Sequence, residues 1–321
     1  MARLDIWLPA WNREASLPAA LRSLRRQTFR DWRLIAVDDG SSDRTADLLD
    51  GFGATVLRVP HGGIVRALQA AASSSDAPLV ARMDADDLCH RERFAAQLVV
   101  RADVVATRVK VNGPEGLRLY ARWQNSLVTH DEIVRNLFVE SPLAHPTVMF
   151  TRDVYERAGG YRDVAWPEDY DLWLRMRESG ARFSKVPRAL VAWRDRPDRL
   201  TRTHPMYSAQ AIHAAKLHYL ARDPLLKRGP VTVWGAGEIG RAWIRDLRAL
   251  GVEVEQAIDI DPRKIGIRLA NAVPVRAPDD ALSRRHGPVL VAVGRRGARD
   301  IIRPRLEARG LVEGSDFLFL A

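Results

Sequence analysis

The chain has 321 residues, of which 46% are hydrophobic and 28% charged, and its formal net charge is +10. This length predicts two domains, each long enough to bury a core. A positive balance is compatible with anionic partners such as nucleotide phosphates or an acidic membrane surface. However, only five of the 50 basic residues are Lys, and the Arg residues are spread along the whole chain, which is typical of biased residue usage.

Several function classes are not expected from the composition. Nucleic-acid binding is not predicted, because no basic cluster interleaved with aromatic residues and no helix-turn-helix pattern accompanies the charge. The single cysteine, Cys89, excludes an intrachain disulfide framework and fits a reducing compartment, and we interpret it as structural. No signal segment and no run of about 18 apolar residues is present, so a cytoplasmic protein is expected, with peripheral association at the inner face of the membrane left open.

The first 100 residues alternate strand and helix patterns joined by short connections. Four strands and three helices are predicted here: strands Asp5–Pro9, Trp32–Val37, Thr55–Val59 and Ala77–Met83, and helices Ser16–Gln27, Arg44–Asp50 and a helix opened by His61-Gly62-Gly63 that ends at Ala72. Such alternation predicts an α/β fold with a mostly parallel sheet and right-handed crossovers.

After residue 100 the pattern is looser. After one strand, the region up to Asn125 is expected to be irregular. The strands predicted between residue 100 and Arg222 are Val104–Val111, Pro146–Phe150 and Val186–Trp193. The helices predicted there are Asp131–Phe138, Arg152–Ala158, a helix from Trp166 through Glu178, and Tyr207–Arg222. Pro224, Gly229 and Pro230 then mark a boundary. We predict a first domain over 1–222, a linker over 223–229 and a smaller α/β domain over 230–321.

Polar residues follow the predicted strands of the first domain at Pro9–Asn12, Asp38–Asp39 and Asp84–Asp87. Ligands of parallel sheets bind beyond the carboxyl ends of the strands, where these segments would meet. Asp84 and Asp86 form a DXD motif whose crowded carboxylates could share a divalent cation with phosphate oxygens. The alternative for an isolated Asp-x-Asp is an acidic helix start, and Asp87 is predicted to be a helix cap.

Residues 1 to about 220 resemble the family 2 glycosyltransferases of the GT-A fold. Six segments carry the resemblance in the family's order: Leu8–Glu14, Ala36–Asp43, Ala81–Asp87, His145–Thr147, Gly159–Tyr161 and Glu168–Arg175. The family usually has Tyr where this chain has Trp11. The resemblance implies transfer of a sugar from a nucleotide-sugar to a glycan or lipid-linked acceptor, with Mg²⁺ or Mn²⁺ as cofactor.

The resemblance also implies a role for individual residues. On the donor side, Pro9 and Trp11 would line the base, Asp39 would accept hydrogen bonds from it, Asp38 would lie near the ribose, and Glu14, Arg66 and Arg82 would belong to the donor site. Asp86 would be the main metal ligand, with Asp84 shared between the ribose and the metal, and His204 is a weaker metal candidate. Asp169 would be the general base, supported by Glu168. One in-line displacement would invert the anomeric centre.

Three further features are predicted to lie around this site. His145 and Trp166 would shape the acceptor side, and the loop Arg194–Arg202 would cover the diphosphate, because Arg side chains suit phosphate oxygens. Plain helix capping is the alternative for Glu168 and Asp169, and a lone surface histidine is the alternative for His204.

The second domain carries Gly235, Gly237 and Gly240 in the spacing of a dinucleotide fingerprint, between a predicted strand and a predicted helix. Asp259 ends the next strand, where such folds place a ribose-binding acid. This region resembles the small Rossmann-like domain of sugar O-acyltransferases, which receives a nucleotide-sugar. NAD(P) or another nucleotide is therefore a candidate ligand, and a structural role is the alternative. The second hypothesis for the function of the protein is an NAD-dependent oxidoreductase or nucleotide sensor that works through this domain. The third hypothesis is a binding protein without catalytic activity.

Overall fold

The computed structural model describes residues 3–196, 199–270 and 272–321. Within these ranges no helix has the length and apolar character needed to cross a membrane. The chain divides by its contacts into two compact units, one formed by Met1–Val134 and Ser141–Ser208 and the other by Arg135–Glu140 and Ala209–Ala321. The domain limits at residues 222 and 230 stay a prediction.

The first unit is built on one eight-stranded sheet, in the order β3-β2-β1-β4-β7-β6-β8-β5. The strands β3, β2, β1 and β4 are parallel, β7 runs antiparallel to β4 and β6, β6 is parallel to β8, and β5 is antiparallel to β8. The predicted α/β fold with a mostly parallel sheet is thereby confirmed. The strands are β1 (Leu4–Ala10), β2 (Trp32–Asp39), β3 (Thr55–Val59), β4 (Leu79–Arg82), β5 (Leu88–Cys89), β6 (Val104–Asn112), β7 (Met149–Thr151) and β8 (Phe183–Arg194).

Helices cover the sheet because the central strands are apolar on both faces. In β1, Leu4, Ile6 and Leu8 point to one face and Trp7 to the other, and all four are fully buried. The helices are α1 (Leu17–Arg25), α2 (Thr45–Asp50), α3 (Gly63–Ser73), α4 (Arg93–Leu98), α5 (Glu115–Ser126), α6 (His130–Asn136), α7 (Arg152–Arg157), α8 (Glu168–Glu178) and α9 (Leu200–Thr203).

Three expectations for this part of the chain differ from the structure. The region before Asn125 is not irregular but holds α5, whose fully buried residues are Ala121 and Gln124. The predicted strand Pro146–Phe150 begins only at Met149, because His145–Thr147 forms a 3-10 turn. The helix predicted over Tyr207–Arg222 is present but begins at Ala209, because Pro205–Tyr207 forms a second 3-10 turn.

The second unit has its own six-stranded sheet, in the order β11-β12-β10-β9-β13-β14. All neighbours are parallel except β11 and β12. Its elements are α10 (Ala209–Leu220), β9 (Val231–Trp234), α11 (Glu238–Ala249), β10 (Val254–Ile258), β11 (Arg268–Leu269), β12 (Val273–Arg276), α12 (Pro278–Ser283), β13 (Val289–Val291), α13 (Ala298–Glu307) and β14 (Phe317–Phe319). The sequence patterns did not predict β11, β12 and α12.

Two glycines of the turn between β9 and α11 are required by the chain's own packing. Gly235 has a φ of +128°, in the region that favours glycine. A Cβ added at Gly240 would lie 1.7 Å from the carbonyl oxygen of Gly235, whereas a Cβ at Gly237 would meet no atom within 4 Å. The close approach of helix to turn therefore depends on Gly240.

Gly240→Ala should destabilise the second unit by about 3 kcal/mol or more, because the new methyl group overlaps a backbone carbonyl that cannot rotate away. Denaturant unfolding followed by hydrogen exchange over residues 231–250 measures the loss. Gly237→Ala is the matched control and should change stability by less than about 1 kcal/mol. Equal stability of the two variants would contradict this packing argument.

Candidate active site

Three polar segments meet at the carboxyl edge of the parallel strands in the first unit. In the register of the sheet, Ala10 of β1 pairs with Asp38 of β2, and Trp7 of β1 pairs with Arg82 of β4. The segments after these strands must therefore leave the sheet side by side, as the sequence predicted. This edge is where ligands bind in such sheets.

Hydrogen bonds join the loop after β1 to the loop after β2. Asn12 has a φ of +51°, which Asn tolerates better than most residues, and its Oδ1 accepts from the amide of Ser42 at 2.9 Å. Glu14 takes part as well, since its Oε2 accepts from the amide of Arg44 at 3.1 Å. Three amides of the first loop donate in the other direction, those of Asn12 to Ser41 Oγ, Arg13 to Thr45 Oγ1 and Glu14 to Asp43 Oδ2. The two loops consequently form one rigid rim.

An exposed aromatic surface lies beside this rim. The indole of Trp11 stacks on the imidazole of His61, with 4.3 Å between ring centroids and 22° between planes. Trp11 keeps 45% of its surface exposed, which is unusual for so large an apolar side chain. A flat, exposed ring of this kind can stack on a nucleobase, and base binding by Trp11 and the neighbouring Pro9 stays a prediction.

Asp39 anchors the start of α3. Its Oδ1 accepts from the amide of Gly62 and its Oδ2 from the amide of Gly63, both at 2.9 Å, and His61 Nδ1 also lies 2.9 Å from Oδ2. Both carboxylate oxygens of Asp39 therefore already accept hydrogen bonds. A hydrogen bond from a nucleobase to Asp39, as predicted, would have to use the remaining lone pairs of these oxygens. The neighbouring Asp38 is buried, and its Oδ1 accepts from the amide of Ser41. Arg66, in the first turn of α3, is exposed to solvent.

The carboxylates after β4 are crowded and have different partners. Asp84 pairs with Nη1 of Arg82, a guanidinium that is only 1% exposed. Burial would raise the pKa of Asp84, but the charge and hydrogen bond of Arg82 outweigh it and the pKa is lowered. Burial together with the charge of Asp84 raises the pKa of Asp86. Arg82 thus contacts Asp84, and donor binding by Arg82 stays a prediction.

Asp87 does not cap a helix, so that prediction was wrong. The next helix, α4, has Glu92 at its N-cap, and Asp87 Oδ1 instead accepts from the amide of Arg194 in β8 at 2.8 Å. The other oxygen, Oδ2, is buried without a hydrogen-bond partner. Burial and the charges of Asp84 and Asp86 raise the pKa of Asp87 well above its ordinary value.

These side chains fit a divalent cation. Two raised carboxyl pKa values and the buried, unbonded Oδ2 of Asp87 show an excess of negative charge that a cation would relieve. Among residues 3–196, 199–270 and 272–321, no three His, Cys, Asp or Glu side chains are placed to hold a metal together. A cation bound by Asp84 and Asp86 would therefore need ligand oxygens from a phosphate or from water. His204 is exposed, and its Nδ1 accepts from the amide of Met206 at 3.4 Å.

The loop predicted to cover the site brings one of its arginines to the carboxylates. Arg196 Nε lies 3.4 Å from Oδ2 of Asp86. The guanidinium of Arg199 lies over the ring of Trp193, 4.3 Å from the centroid, and Arg202 pairs with Asp195 at 2.8 Å. Residues 197 and 198 of this loop lie outside the described residues. The cover over a diphosphate stays a prediction.

Glu168 and Asp169 begin α8 and differ in their surroundings. Oε2 of Glu168 accepts from the hydroxyl of Tyr207 at 2.7 Å, and Oε1 lies 3.4 Å from Nδ1 of His145. Burial would raise the pKa of Glu168, but the bonds from His145 and Tyr207 outweigh it and the pKa is lowered. Asp169 Oδ1 accepts from the amide of Tyr170 at 2.7 Å, but burial with the charge of Glu168 outweighs this bond and raises the pKa of Asp169 well above its ordinary value. Glu168 is thus the stable anion of the pair and Asp169 the more basic carboxylate.

His145 links this pair to a buried tyrosine. Its Nε2 lies 2.7 Å from the hydroxyl of Tyr161, and burial together with the charge of Arg82 lowers the pKa of His145. His145 itself is buried and so would act on an acceptor through its neighbours. Trp166, the other predicted acceptor residue, is half-buried and its Nε1 donates to Asp171 at 2.9 Å.

Sequence reasoning missed Tyr161 and Tyr207 as partners of the acidic pair. Tyr161 lies in one of the segments that carried the family resemblance, so its motif could have singled it out. Tyr207 is 39 residues from Glu168, and no local pattern indicates that contact.

In the second unit, the carboxylate that was predicted to bind a ribose, Asp259, accepts hydrogen bonds from neighbouring groups of the protein. Asp259 Oδ2 accepts from the amide of Ala236 and from Lys264 Nζ, both at 3.0 Å, and Oδ1 accepts from the amide of Asp261. The structure brings Asp259 to the turn of Gly235 and Gly237, as predicted. Its bonds serve to hold that turn, and nucleotide binding by Gly235, Gly237, Gly240 and Asp259 stays a prediction.

The family model and two relatives that match this chain are named as glycosyltransferases. The model of the family described as Glycosyl transferase family 2 matches residues 5–159. A relative, the putative glycosyltransferase EpsE of Bacillus subtilis (strain 168), is 27% identical over 64% of this chain and 78% of its own. The amylovoran biosynthesis glycosyltransferase AmsE of Erwinia amylovora is 27% identical over 58% of this chain and 74% of its own.

Solved structures agree at the level of the fold. The structure of S. aureus TarS 1-349 in complex with UDP-GlcNAc superposes with a TM-score of 0.54 at 16% identity, over 70% of this chain and 68% of that one. Glucosyl-3-phosphoglycerate synthase from Mycobacterium tuberculosis, in complex with Mn²⁺, UDP and glucosyl-3-phosphoglycerate, has a TM-score of 0.50 at 20% identity, over 69% of this chain and 81% of that one.

The fold and these matches define a glycosyltransferase with a GT-A fold. Residues 5–159 match the family 2 model, the family that the sequence motifs predicted, and the protein is a glycosyltransferase. The resemblance of the second unit to the domain of sugar O-acyltransferases stays a prediction.

Tyr207→Phe should raise the pKa of Glu168, because it removes a hydrogen bond that stabilises the ionised carboxylate. A lowered carboxyl pKa contributes stability above its unfolded value of 4.5, and that contribution is lost as pH falls through the folded value. At pH 7 the variant should therefore be about 1–2 kcal/mol less stable than the wild type, and the difference should shrink below about pH 4.5.

Urea unfolding between pH 3.5 and 7 measures this difference. Glu168→Gln is the background that isolates it, because Tyr207→Phe should add no pH-dependent loss once the carboxylate is gone. A pH-independent difference in both backgrounds would refute the assigned interaction.

Proposed function

We propose that this protein is a metal-dependent, inverting glycosyltransferase that moves a sugar from a nucleoside-diphosphate-sugar to a hydroxyl of a glycan or lipid-linked acceptor. The main support for the proposal is that the pKa of Glu168 is lowered whereas the pKa of Asp169 is raised. Two adjacent carboxyls whose pKa values are shifted in opposite directions provide one stable anion and one base.

The donor would bind at the carboxyl edge of the parallel strands. The rings of Trp11 and His61 offer a stacking surface for the base, and Asp38, Asp39 and Pro9 border it. A related structure with this fold contains UDP-GlcNAc, and another contains UDP. Arg66 is exposed and Arg199 lies close to the carboxylates of the site, so both can approach the diphosphate.

Asp86 and Asp84 would hold Mg²⁺ or Mn²⁺, since they are the crowded carboxylates next to the donor edge. When bound, the ion neutralises the negative charge that grows on the nucleoside diphosphate leaving group. The neighbouring Arg82, whose guanidinium is buried, orients Asp84 through an ion pair. The contact between Arg196 and Asp86 must break before both oxygens of Asp86 can bind the metal ion.

Asp169 would accept the proton of the acceptor hydroxyl as that oxygen attacks C1 of the donor sugar. Glu168 stays ionised and raises the basicity of Asp169 through its charge. Tyr207 and His145 hold Glu168 in place, and neither needs to change its protonation. A single displacement inverts the anomeric centre, so no covalent nucleophile is required.

Surface polysaccharide synthesis is the proposed setting. The names of two relatives refer to such products, amylovoran for AmsE and O-antigen for WbnJ of Escherichia coli, which is 28% identical over 49% of this chain. The comparisons give no support to the NAD-dependent alternative. The acidic pairs Asp84/Asp86 and Glu168/Asp169 favour catalysis over binding alone.

Asp169→Asn should lower sugar transfer by at least about 10³-fold, because the amide cannot accept the hydroxyl proton. Binding of nucleoside diphosphate should stay within about threefold of wild type, since the residue lies on the acceptor side. Sugar transfer is measured by the release of nucleoside diphosphate in the presence of acceptor, and nucleoside diphosphate binding is measured by calorimetry. Asp163→Asn, a change at an exposed position near α8, is the control, and transfer near the wild-type rate in Asp169→Asn would refute the base assignment.

Nucleotide-sugars should raise the melting temperature of the protein in a Mn²⁺-dependent way, and Asp86→Ala should abolish that dependence. A thermal-shift panel with and without Mn²⁺ measures both effects. Asp163→Ala should behave like the wild type. If no nucleotide-sugar stabilised the wild type with metal present, the proposed donor class would be wrong.

A further inference from the structure

A cavity of about 440 Å³ lies on the first unit between α1 and the segment that includes β5. The residues that give it its chemistry are Arg22 and Arg26 on one side and Cys89, His90 and Arg91 on the other. None of the roles assigned above to donor, metal or acceptor uses these residues. The cavity is therefore a separate feature of the surface.

The spacing of α1 explains why basic residues meet there. Leu17, Leu21 and Leu24 are buried against the sheet, which directs the opposite face of the helix outward. Arg22 and Arg26 are four residues apart and so lie one turn apart on the face that lines the cavity. The two guanidinium groups consequently share one side of it.

The charge of this cavity is not balanced by acidic neighbours. None of its lining residues is acidic. Among the described ranges, Arg22 and Arg26 have no carboxylate in ion-pairing distance, and Arg91 has only Glu92, 3.6 Å away and already paired with Arg188. Basic residues often end a helix, where its dipole is negative, but this does not account for Arg91, which belongs to another segment. Three arginines from two segments around a concave surface form a site for an anion.

Hydrogen bonds hold the opposite wall in place without a ligand. The amide of Cys89 donates to Ser23 Oγ at 3.0 Å, and Gln27 Nε2 donates to the carbonyl of His90 at 2.8 Å. Because these bonds tie the segment to Ser23 in α1 and to Gln27, two residues beyond its end, the distance across the cavity is set by the fold. A preformed site loses little entropy on binding.

We propose that this cavity binds a phosphate group through Arg22, Arg26 and Arg91. Arginine forks match the oxygens of a phosphate in geometry and charge, and a phosphate with two ionised oxygens needs more than one of them. The group can belong to a free phosphate compound or to the headgroup of an anionic lipid, and the cavity recognises the same chemistry in both. This proposal does not depend on the glycosyl donor, the metal or the catalytic base.

Calorimetry with pyrophosphate, in buffer with EDTA to remove metals, tests the free form. Sedimentation with phosphatidylcholine vesicles, with and without phosphatidic acid, tests the lipid form. The variant Arg22→Gln/Arg26→Gln should weaken whichever binding is seen by about tenfold or more. Arg101→Gln/Arg118→Gln removes two exposed arginines elsewhere on the same unit and should leave that binding unchanged.

Absence of binding in both forms, or equal binding by the two double variants, overturns the proposal.

Discussion

The buried guanidinium of Arg82 is the charge on which the rest of the site depends. Arg82 occupies the last position of β4 and pairs with Asp84. Burial would lower the pKa of its guanidinium, but the negative charges of Asp84 and Glu168 outweigh burial and the pKa is raised. One cation therefore pairs with Asp84 and acts electrostatically on Glu168, a carboxylate from a distant part of the chain. Removing one partner of a buried ion pair typically costs about 3–5 kcal/mol, because the other charge is left uncompensated.

This arrangement separates the carboxylates into fixed and responsive groups. Asp84 and Glu168 have lowered pKa values because cationic or hydrogen-bonding neighbours hold their charge. Asp86, Asp87 and Asp169 lie beside those anions and have raised pKa values. The responsive carboxylates are the ones that a cation or an acceptor proton would satisfy, so the electrostatics of the fold and the proposed chemistry share one origin.

The two units use the carboxyl edge of a parallel sheet in different ways. In the first unit, the loops after β1 and β2 are tied to each other and leave the ring of Trp11 exposed. In the second unit, Asp259 turns back to the glycine turn after β9 and is held by Lys264. The exposed ring of Trp11 thus lies at the edge of the first sheet, whereas the bonds of Asp259 hold a turn of the second.

Local patterns in the sequence determined the central strands, the glycine turn of the second unit and the motifs that define the family. They succeeded because a strand buried on both faces must be apolar and because Gly240 has no room for a side chain. Local patterns failed at α5, whose buried face is small, and at Asp87, whose partner is the amide of Arg194 on a strand 107 residues away. Only the tertiary structure brought Tyr207 to Glu168 and Arg196 to Asp86, and so only it decided which carboxylates are held as anions and which are left basic. The physical reason is that the pKa of a carboxyl depends on burial and on charges within a few ångströms, and folding sets those distances regardless of separation along the chain.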